Sequence, residues 1–277
     1  MRSFPPVPPI DDAPDSLLSG GHLWIQEELD AGPLRFRLRP DGRIRFGDRD
    51  RTFDDGVPPA YRAAASHVRK RLDREALRAA VGDPSSVVFF GGSLHLRRVE
   101  YDFDRVPPFL GFDVWDGDRG EFLPPDAVER VYRRLDLRAV DAFQKEVRAV
   151  DFDPDRYEFP GSEWYDGPPL GVVVRDKTGN RTAIPNPALS GIEPPEPIEG
   201  DADAVVDRTV TEDRIRRAVE DVEARGDTVS VPAVVDRTVA TVLREDHARI
   251  AGGDRTPDRG ELRAAAAERV RRHLDGD

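Results

Sequence analysis

The chain contains no cysteine, which excludes disulfides, thiolate zinc sites and cysteine nucleophiles together. Lysine is almost as scarce. Lys70, Lys145 and Lys177 are the only three in 277 residues, and apart from histidine every other basic side chain is arginine. No apolar run approaches the roughly 18 residues of a membrane span. The first residues, Arg2-Ser-Phe-Pro-Pro-Val-Pro-Pro-Ile10, lack the apolar stretch of a secretory signal. The expectation is a soluble, cytoplasmic protein without membrane attachment.

What is present in excess is acid. Charged residues make up 35% and the formal net charge is −12. A general nucleic-acid coat protein draws its affinity from neutralised phosphates, and this balance excludes one. Abundant carboxylates with little lysine fit a halophilic adaptation, in which salt screens surface repulsion to within about 3 Å at molar concentration. The 38% apolar content is too high for a disordered acidic chain. The length suits one large domain, or a large and a small one.

Along the chain, residues 1–20 are rich in proline, Asp and Ser and are expected as an extended arm. Leu23-Trp-Ile-Gln-Glu27, Leu34-Arg-Phe-Arg-Leu-Arg39 and Ile44-Arg-Phe46 alternate as antiparallel strands, with a turn at Pro40-Asp-Gly-Arg43. Helical spacing runs over 59–80. Val87-Val-Phe-Phe90 and Phe109-Leu-Gly-Phe-Asp-Val114 read as buried strands, with a helix over 126–136 behind Pro124-Pro125 and a short helix across 138–146. Leu170–Val174 and Arg181–Ile184 flank a hairpin turn at Asp176-Lys-Thr-Gly-Asn180. Five prolines between 185 and 200 mark a linker, and helices are expected over 211–225, 232–250 and 258–274.

Four segments in order, Gln26-Glu-Glu-Leu-Asp30, Phe89-Phe-Gly-Gly92, Phe109-Leu-Gly-Phe-Asp-Val114 and Leu170-Gly-Val-Val-Val-Arg175, resemble the nucleotidyltransferase core of ATP-dependent RNA ligases, relatives of DNA ligases and mRNA capping enzymes. The resemblance covers about residues 20–190. It implies an α+β fold: a ligase-type nucleotidyltransferase core of antiparallel sheets with flanking helices, plus a small all-helical C-terminal domain. The organisation is then an arm at 1–20, an RNA-ligase-like domain at 21–190, a proline-rich linker at 191–208 and a helical domain at 209–277. The resemblance further implies ATP and Mg²⁺ as cofactors, nucleotide or RNA ends as partners, and a nucleotide-binding set of Glu27, Glu28, Asp30, Arg49, Phe112 and Arg175. In the family the aromatic of the Phe-Asp-Val strand lies against adenine, which Phe112 would do here. The family's phosphate-holding lysine would fall at Thr182-Ala183, beside Arg181.

The match breaks where the chemistry resides. Glu28 stands at the position of the nucleophilic lysine, Gly92 and Leu170 stand where metal-handling acids belong, and Ala31 replaces a glycine. Self-adenylylation needs an amine that can shed its proton and attack phosphorus. A carboxylate cannot form that adduct, and a triphosphate about 4 Å away would be repelled by about 4 kcal/mol near a protein surface. Arginine stays protonated and cannot replace the amine. Of the three lysines, Lys70 reads as a solvated helix charge and Lys145 as a helical ion-pair partner. Lys177, in the hairpin turn, is the outside candidate for a nucleophile.

The expectation is a pseudoenzyme that binds nucleotide or RNA ends without self-adenylylation. The alternatives are an active ATP-dependent RNA ligase using a non-standard lysine, and a scaffold whose cleft has been filled. Gly91-Gly92-Ser93 lacks the lysine and helix of a phosphate loop, Asp113, Asp116 and Asp118 do not complete a calcium loop, and the five histidines do not form a metal set. Trp164-Tyr165 is a possible base-stacking pair, with packing the plainer reading.

Overall fold

The computed structural model describes residues 1–276, which divide into two compact units. The larger comprises Met1–Leu94 and Tyr101–Ile192. Its elements in chain order are α1 (Asp15–Leu18), β1 (His22–Glu28), β2 (Gly32–Leu38), β3 (Ile44–Gly47), α2 (Pro59–Arg71), α3 (Arg74–Ala80), β4 (Val88–Ser93), β5 (Phe109–Asp116), β6 (Glu121–Phe122), α4 (Pro125–Arg134), β7 (Ala142–Arg148), β8 (Gly171–Arg175) and β9 (Arg181–Pro185). The strands form two sheets, one ordered β7-β1-β8-β9 and the other β3-β2-β4-β5-β6, with every pairing antiparallel.

Strand alternation gives each sheet two faces. In the five-stranded sheet, Leu34, Phe36, Leu38, Phe89 and Val114 face α2, α3 and α4 and build the larger core with Ala64, Val68, Leu77, Val128 and Tyr132. Phe36 and Phe89 stack across β2 and β4 with ring centroids 4.8 Å apart. In the four-stranded sheet, Leu23, Ile25, Val172, Val174 and Ile184 pack with Leu17, Ala149 and the partly buried Phe152, Tyr157 and Phe159. The alternate residues of both sheets are left for a second, more polar layer, and it is there that the candidate site forms.

Local structure departs from the sequence expectation in several places, among them the single helix expected over 232–250, which is two helices, Val231–Glu245 and His247–Ala251. The helix expected over 59–80 is two helices, because the Asp73 carboxylate accepts from the Ala76 N–H at 2.8 Å and starts α3 anew. The short helix expected across 138–146 is instead strand β7, which covers the edge of β1 with irregular register. Partners for β1 and burial of Phe143 and Val147 outweigh local propensity there. Gly91 and Gly92 lie within β4. They admit close neighbours: a Cβ on Gly91 would overlap the Phe109 ring.

The second unit comprises His95–Glu100 with the chain from Glu193 onward. It holds α5 (Ala202–Thr209), α6 (Glu212–Ala224), α7 (Val231–Glu245), α8 (His247–Ala251) and α9 (Arg259–Asp275) around a core of Val205, Ile215, Val222, Val239, Val242, Leu262 and Val270. Asp201 caps α5 within the stretch expected as linker, and α9 begins with a reciprocal Asp258–Glu261 capping box. Residues 95–100 belong to this unit through backbone bonds Leu96 N–H to Arg244 O at 2.9 Å and Ala248 N–H to Leu96 O at 3.1 Å. Among the described residues no helix is long and apolar enough to cross a membrane.

A single glycine sets the spacing between β5 and α4. The fully buried Tyr132 ring lies directly against Gly111, and its hydroxyl donates to the carbonyls of Phe90 and Asp113 at 2.8 and 3.1 Å. A Cβ at Gly111 would overlap that ring. Gly111→Ala is expected to lower stability by about 3 kcal/mol through overpacking, read as a fall in the denaturation midpoint without a change in the urea m-value.

Candidate functional site

On β1, Leu23, Ile25 and Glu27 share one face of the strand, and Trp24, Gln26 and Glu28 share the other. Glu28 ends the strand opposite Gly171 of β8. Its carboxylate occupies the space a Cβ on Gly171 would need, so the glycine is what admits it. Glu27 points the opposite way and is buried. It accepts from Ser162 Oγ at 2.7 Å and from the Glu163 N–H at 3.5 Å. Burial pushes its titration up to about 7, against the smaller downward pull of those two hydrogen bonds. Asp30 is buried, and its backbone N–H donates to Tyr101 Oη at 2.8 Å.

The dominant feature is an ion cluster joining the two sheets. Asp113 of β5 is wholly buried and faces Arg175 of β8 and Arg181 of β9, which are 3% and 7% exposed. Arg175 Nη2 donates to both Asp113 oxygens at 3.3 Å, and Nη1 donates to the Phe112 carbonyl at 2.8 Å. Arg181 Nη1 donates to Asp113 Oδ2. Desolvation lowers the pKa of Arg175, opposed first by the Asp113 charge and then assisted by the like charge of Arg181. Asp176 acts on Arg175 as a further acid, but its own carboxylate is engaged by the turn atoms of Thr178 and Asn180.

Around this cluster lies an aromatic floor of Phe90, Phe112, Trp115 and Phe122. The Arg181 guanidinium carbon is 5.0 Å from the Phe122 ring centroid. Phe4, from the N-terminal arm, sits on this floor with its centroid 4.9 Å from that of Phe112. Arg35, on the face of β2 opposite the larger core, is 3% exposed and borders the arm.

Among the residues singled out from sequence, Phe112 and Arg175 come together directly. Glu27 lies on the other face of β1 from Glu28. Arg49 is exposed in the turn after β3 and, among the described residues, has no hydrogen bond or ion pair to the rest of the set. Lys145 is on a strand and not on a helix; it pairs with Glu129 at 2.8 Å and lies over the Trp24 ring. Lys177 pairs with Glu146 at 2.7 Å, and Lys70 is exposed on α2. Trp164 is buried beneath Arg138 and offers no face for a base.

Sequence reasoning passed over Asp113 as an anchor, Arg35 and Phe4. Asp113 was visible as a lone acid in an apolar strand, a burial that demands a cationic partner. Phe4 was visible only as one aromatic in a proline-rich arm.

No protein-family model matches the chain, and no curated protein sequence does. Solved structures do. A point variant of Naegleria gruberi RNA ligase with ATP and manganese superposes with a TM-score of 0.54 at 13% identity, over 68% of this chain and 56% of that one. The same ligase with pyrophosphate gives 0.52 at 12% identity, over 68% and 56%. A variant with AMP and manganese gives 0.53 at 13%, over 67% and 56%. The fold is that of the RNA ligase nucleotidyltransferases. The chain spans little more than half the length of the ligases it matches.

Among the described residues no group of three or more histidine or acidic side chains is placed to hold an ion. At Gly92 an ideal Cβ would lie 2.6 Å from the Ala31 Cβ, so a carboxylate side chain has no room there.

Two measurements probe the electrostatics. Asp113→Ala leaves two buried guanidinium groups facing one another and is expected to cost about 3–5 kcal/mol, seen in chemical denaturation. Glu27 titrates near 7 when folded and near 4.5 when unfolded, so the folded state holds the proton more tightly. Its stabilising contribution is full below pH 4.5 and is lost as pH rises through 7, about 3 kcal/mol in all. Glu27→Gln should therefore flatten the fall in melting temperature between pH 5 and pH 8, and an unchanged slope would place the titration elsewhere.

Proposed function

We propose that this chain binds a nucleotide or an RNA end on its aromatic and arginine face and does not adenylylate itself. The observation that carries the reading is a carboxylate, Glu28, at the end of β1, the position that the sequence resemblance aligns with the ligases' lysine. It accompanies an aromatic floor bordered by Arg175, Arg181 and Arg35. Stacking on aromatic rings combined with guanidinium groups is the general chemistry of single-stranded nucleic-acid and nucleotide recognition. The Naegleria structures, which hold ATP, AMP or pyrophosphate, support the same class of ligand for this fold. Phe112 supplies the stacking surface in this reading, with Arg35 and Arg181 toward phosphate and Arg175 holding Asp113 and the Phe112 carbonyl.

The second reading, an active ligase working through Lys177, is disfavoured by that side chain's surroundings. The hydrogen bond and charge of Glu146 raise the Lys177 pKa, with Asp126 adding to it. An amine held more firmly protonated is a poorer nucleophile. No step of the proposed function passes through a metal ion, because the acidic positions that would hold one carry Gly92 and Leu170.

Incubated with labelled ATP and Mg²⁺ at high salt and then denatured, the chain is expected to retain no label. A persistent adduct overturns the reading in favour of the ligase. Saturating ATP or a 5′-phosphorylated oligoribonucleotide is expected to raise the melting temperature, by a stabilisation of about 2.7 kcal/mol at a hundredfold excess over Kd. Neither label nor shift would leave a ligand-free scaffold.

A further inference from the structure

The N-terminal arm lies on this same face in the manner of a bound peptide. Arg35 Nη1 donates to the Met1 carbonyl at 3.2 Å and to Ser3 Oγ at 2.9 Å. The Arg2 guanidinium carbon is 3.5 Å from the Trp115 ring centroid. Phe4 is tilted against Phe90 at 5.3 Å and edge-on to Phe112 and Phe122 at 4.9 and 5.8 Å, and the Arg181 guanidinium carbon lies 4.9 Å from the Phe4 centroid. Further along, the Ala183 N–H and Thr182 Oγ1 donate to the Pro8 carbonyl at 2.9 and 3.0 Å, which adds the arm to the free edge of β9.

We propose that residues 1–9 are an internal occupant of this face, and that a nucleotide or RNA end binds by displacing them. The inference rests on the binding function proposed above and adds its regulation. Phe4 covers Phe112, so a base can stack on that ring only when Phe4 leaves. The arm offers the face the same two kinds of group as a nucleotide, a flat ring on the aromatic floor and oxygen atoms on a buried arginine. Among the described residues, both side-chain hydrogen bonds of Arg35 go to neutral arm oxygens, and its Nε has no partner. A phosphate would answer that guanidinium with charge, which the arm does not.

Two features make the occupancy strong enough to form and weak enough to break. Prolines at 5, 6, 8 and 9 preset an extended backbone, so seating Phe4 from the anchor at Pro8 costs little conformational entropy. Tethering also keeps the ring at high effective concentration. Against this, docking brings the Met1 α-amino group among Arg37, Arg35 and Arg45. Burial first, and then those like charges, lower its pKa. Asp48 and Asp50 act on Arg35 as compensating acids, while Asp54 pairs with Arg45.

The test compares the full chain with Phe4→Ala and Arg2→Ala, both of which keep the Pro8 anchor on β9. Binding of ATP and of a 5′-phosphorylated oligoribonucleotide is measured by calorimetry at high salt, after circular dichroism has shown that each variant is folded. Both variants are expected to bind about tenfold tighter than the full chain, because the fraction of open face rises. Phe4→Trp, with a larger ring on the same floor, is expected to bind more weakly. A preference for ATP or for the oligonucleotide identifies which phosphate source the face serves. Equal affinities across chains that do bind overturn the displacement and leave the binding function standing. No binding by any chain overturns both.

Discussion

The Asp113 carboxylate holds two guanidinium groups, Arg175 and Arg181, from a different sheet, and the polar layer of the larger unit is organised by that contact. β8 and β9 carry the cations side by side because Arg175 and Arg181 are partners in register. β5 carries the anion and turns the Phe112 carbonyl toward Arg175. Burial of three charges is expensive, and the pairing offsets the expense only while all three are present and hydrogen-bonded. Two cations against one carboxylate leave a positive excess in a dry place. Aromatic rings are the neutral groups best suited to face such an excess, and Phe4 and Phe122 both lie within about 5 Å of Arg181. The same excess makes the layer suited to a phosphate.

Packing around Gly92 and Gly171 is consistent with the proposed reading. Gly92 is pressed against Ala31, so an acid cannot return there without moving the β1–β2 turn. Glu28 occupies space over Gly171, and a larger residue at 171 would displace it. Asp113 is committed to both arginines, and those arginines are thereby drawn toward β5. Each arginine meets the same single acid of the protein itself.

Much of the fold was legible in the residues because the apolar alternation was strong. Leu23 and Ile25, Leu34, Phe36 and Leu38, and Val172 and Val174 all announced one buried face. The faces that carry chemistry were harder to read, since their partners come from distant parts of the chain. Nothing local distinguishes β7 from a helix: Phe143-Gln-Lys-Glu146 has ordinary helix formers, and only the open edge of β1 decides its state. The break at Asp73 depended on a cap, and α5 on two adjacent valines, Val205 and Val206, after a run of prolines. At the site, the four segments placed Phe112 and Arg175 together through resemblance. The role of Asp113 follows only from seeing both arginines converge, and that of Phe4 only from seeing where a proline-rich arm folds back.

Salt composition bears on the proposed competition between arm and ligand. If the chain works in the salt-rich interior that its acidity leads one to expect, phosphate attraction to Arg35 and Arg181 is screened wherever water and ions reach it. Most of the exposed Arg–Asp pairs, such as Arg71–Asp136 and Arg130–Asp126, contribute little under those conditions. The Phe4 contacts respond in the opposite sense, because excluded salts strengthen apolar burial, and a cation–π contact made by the nearly buried Arg181 is screened least. Rising salt therefore tilts the balance toward the seated arm, and a ligand must recover through its base what it loses through its phosphate. An anion without a stacking ring would be the poorest competitor. That ordering follows from the arm being held by a ring on rings, with its charges set over a ring or among other cations.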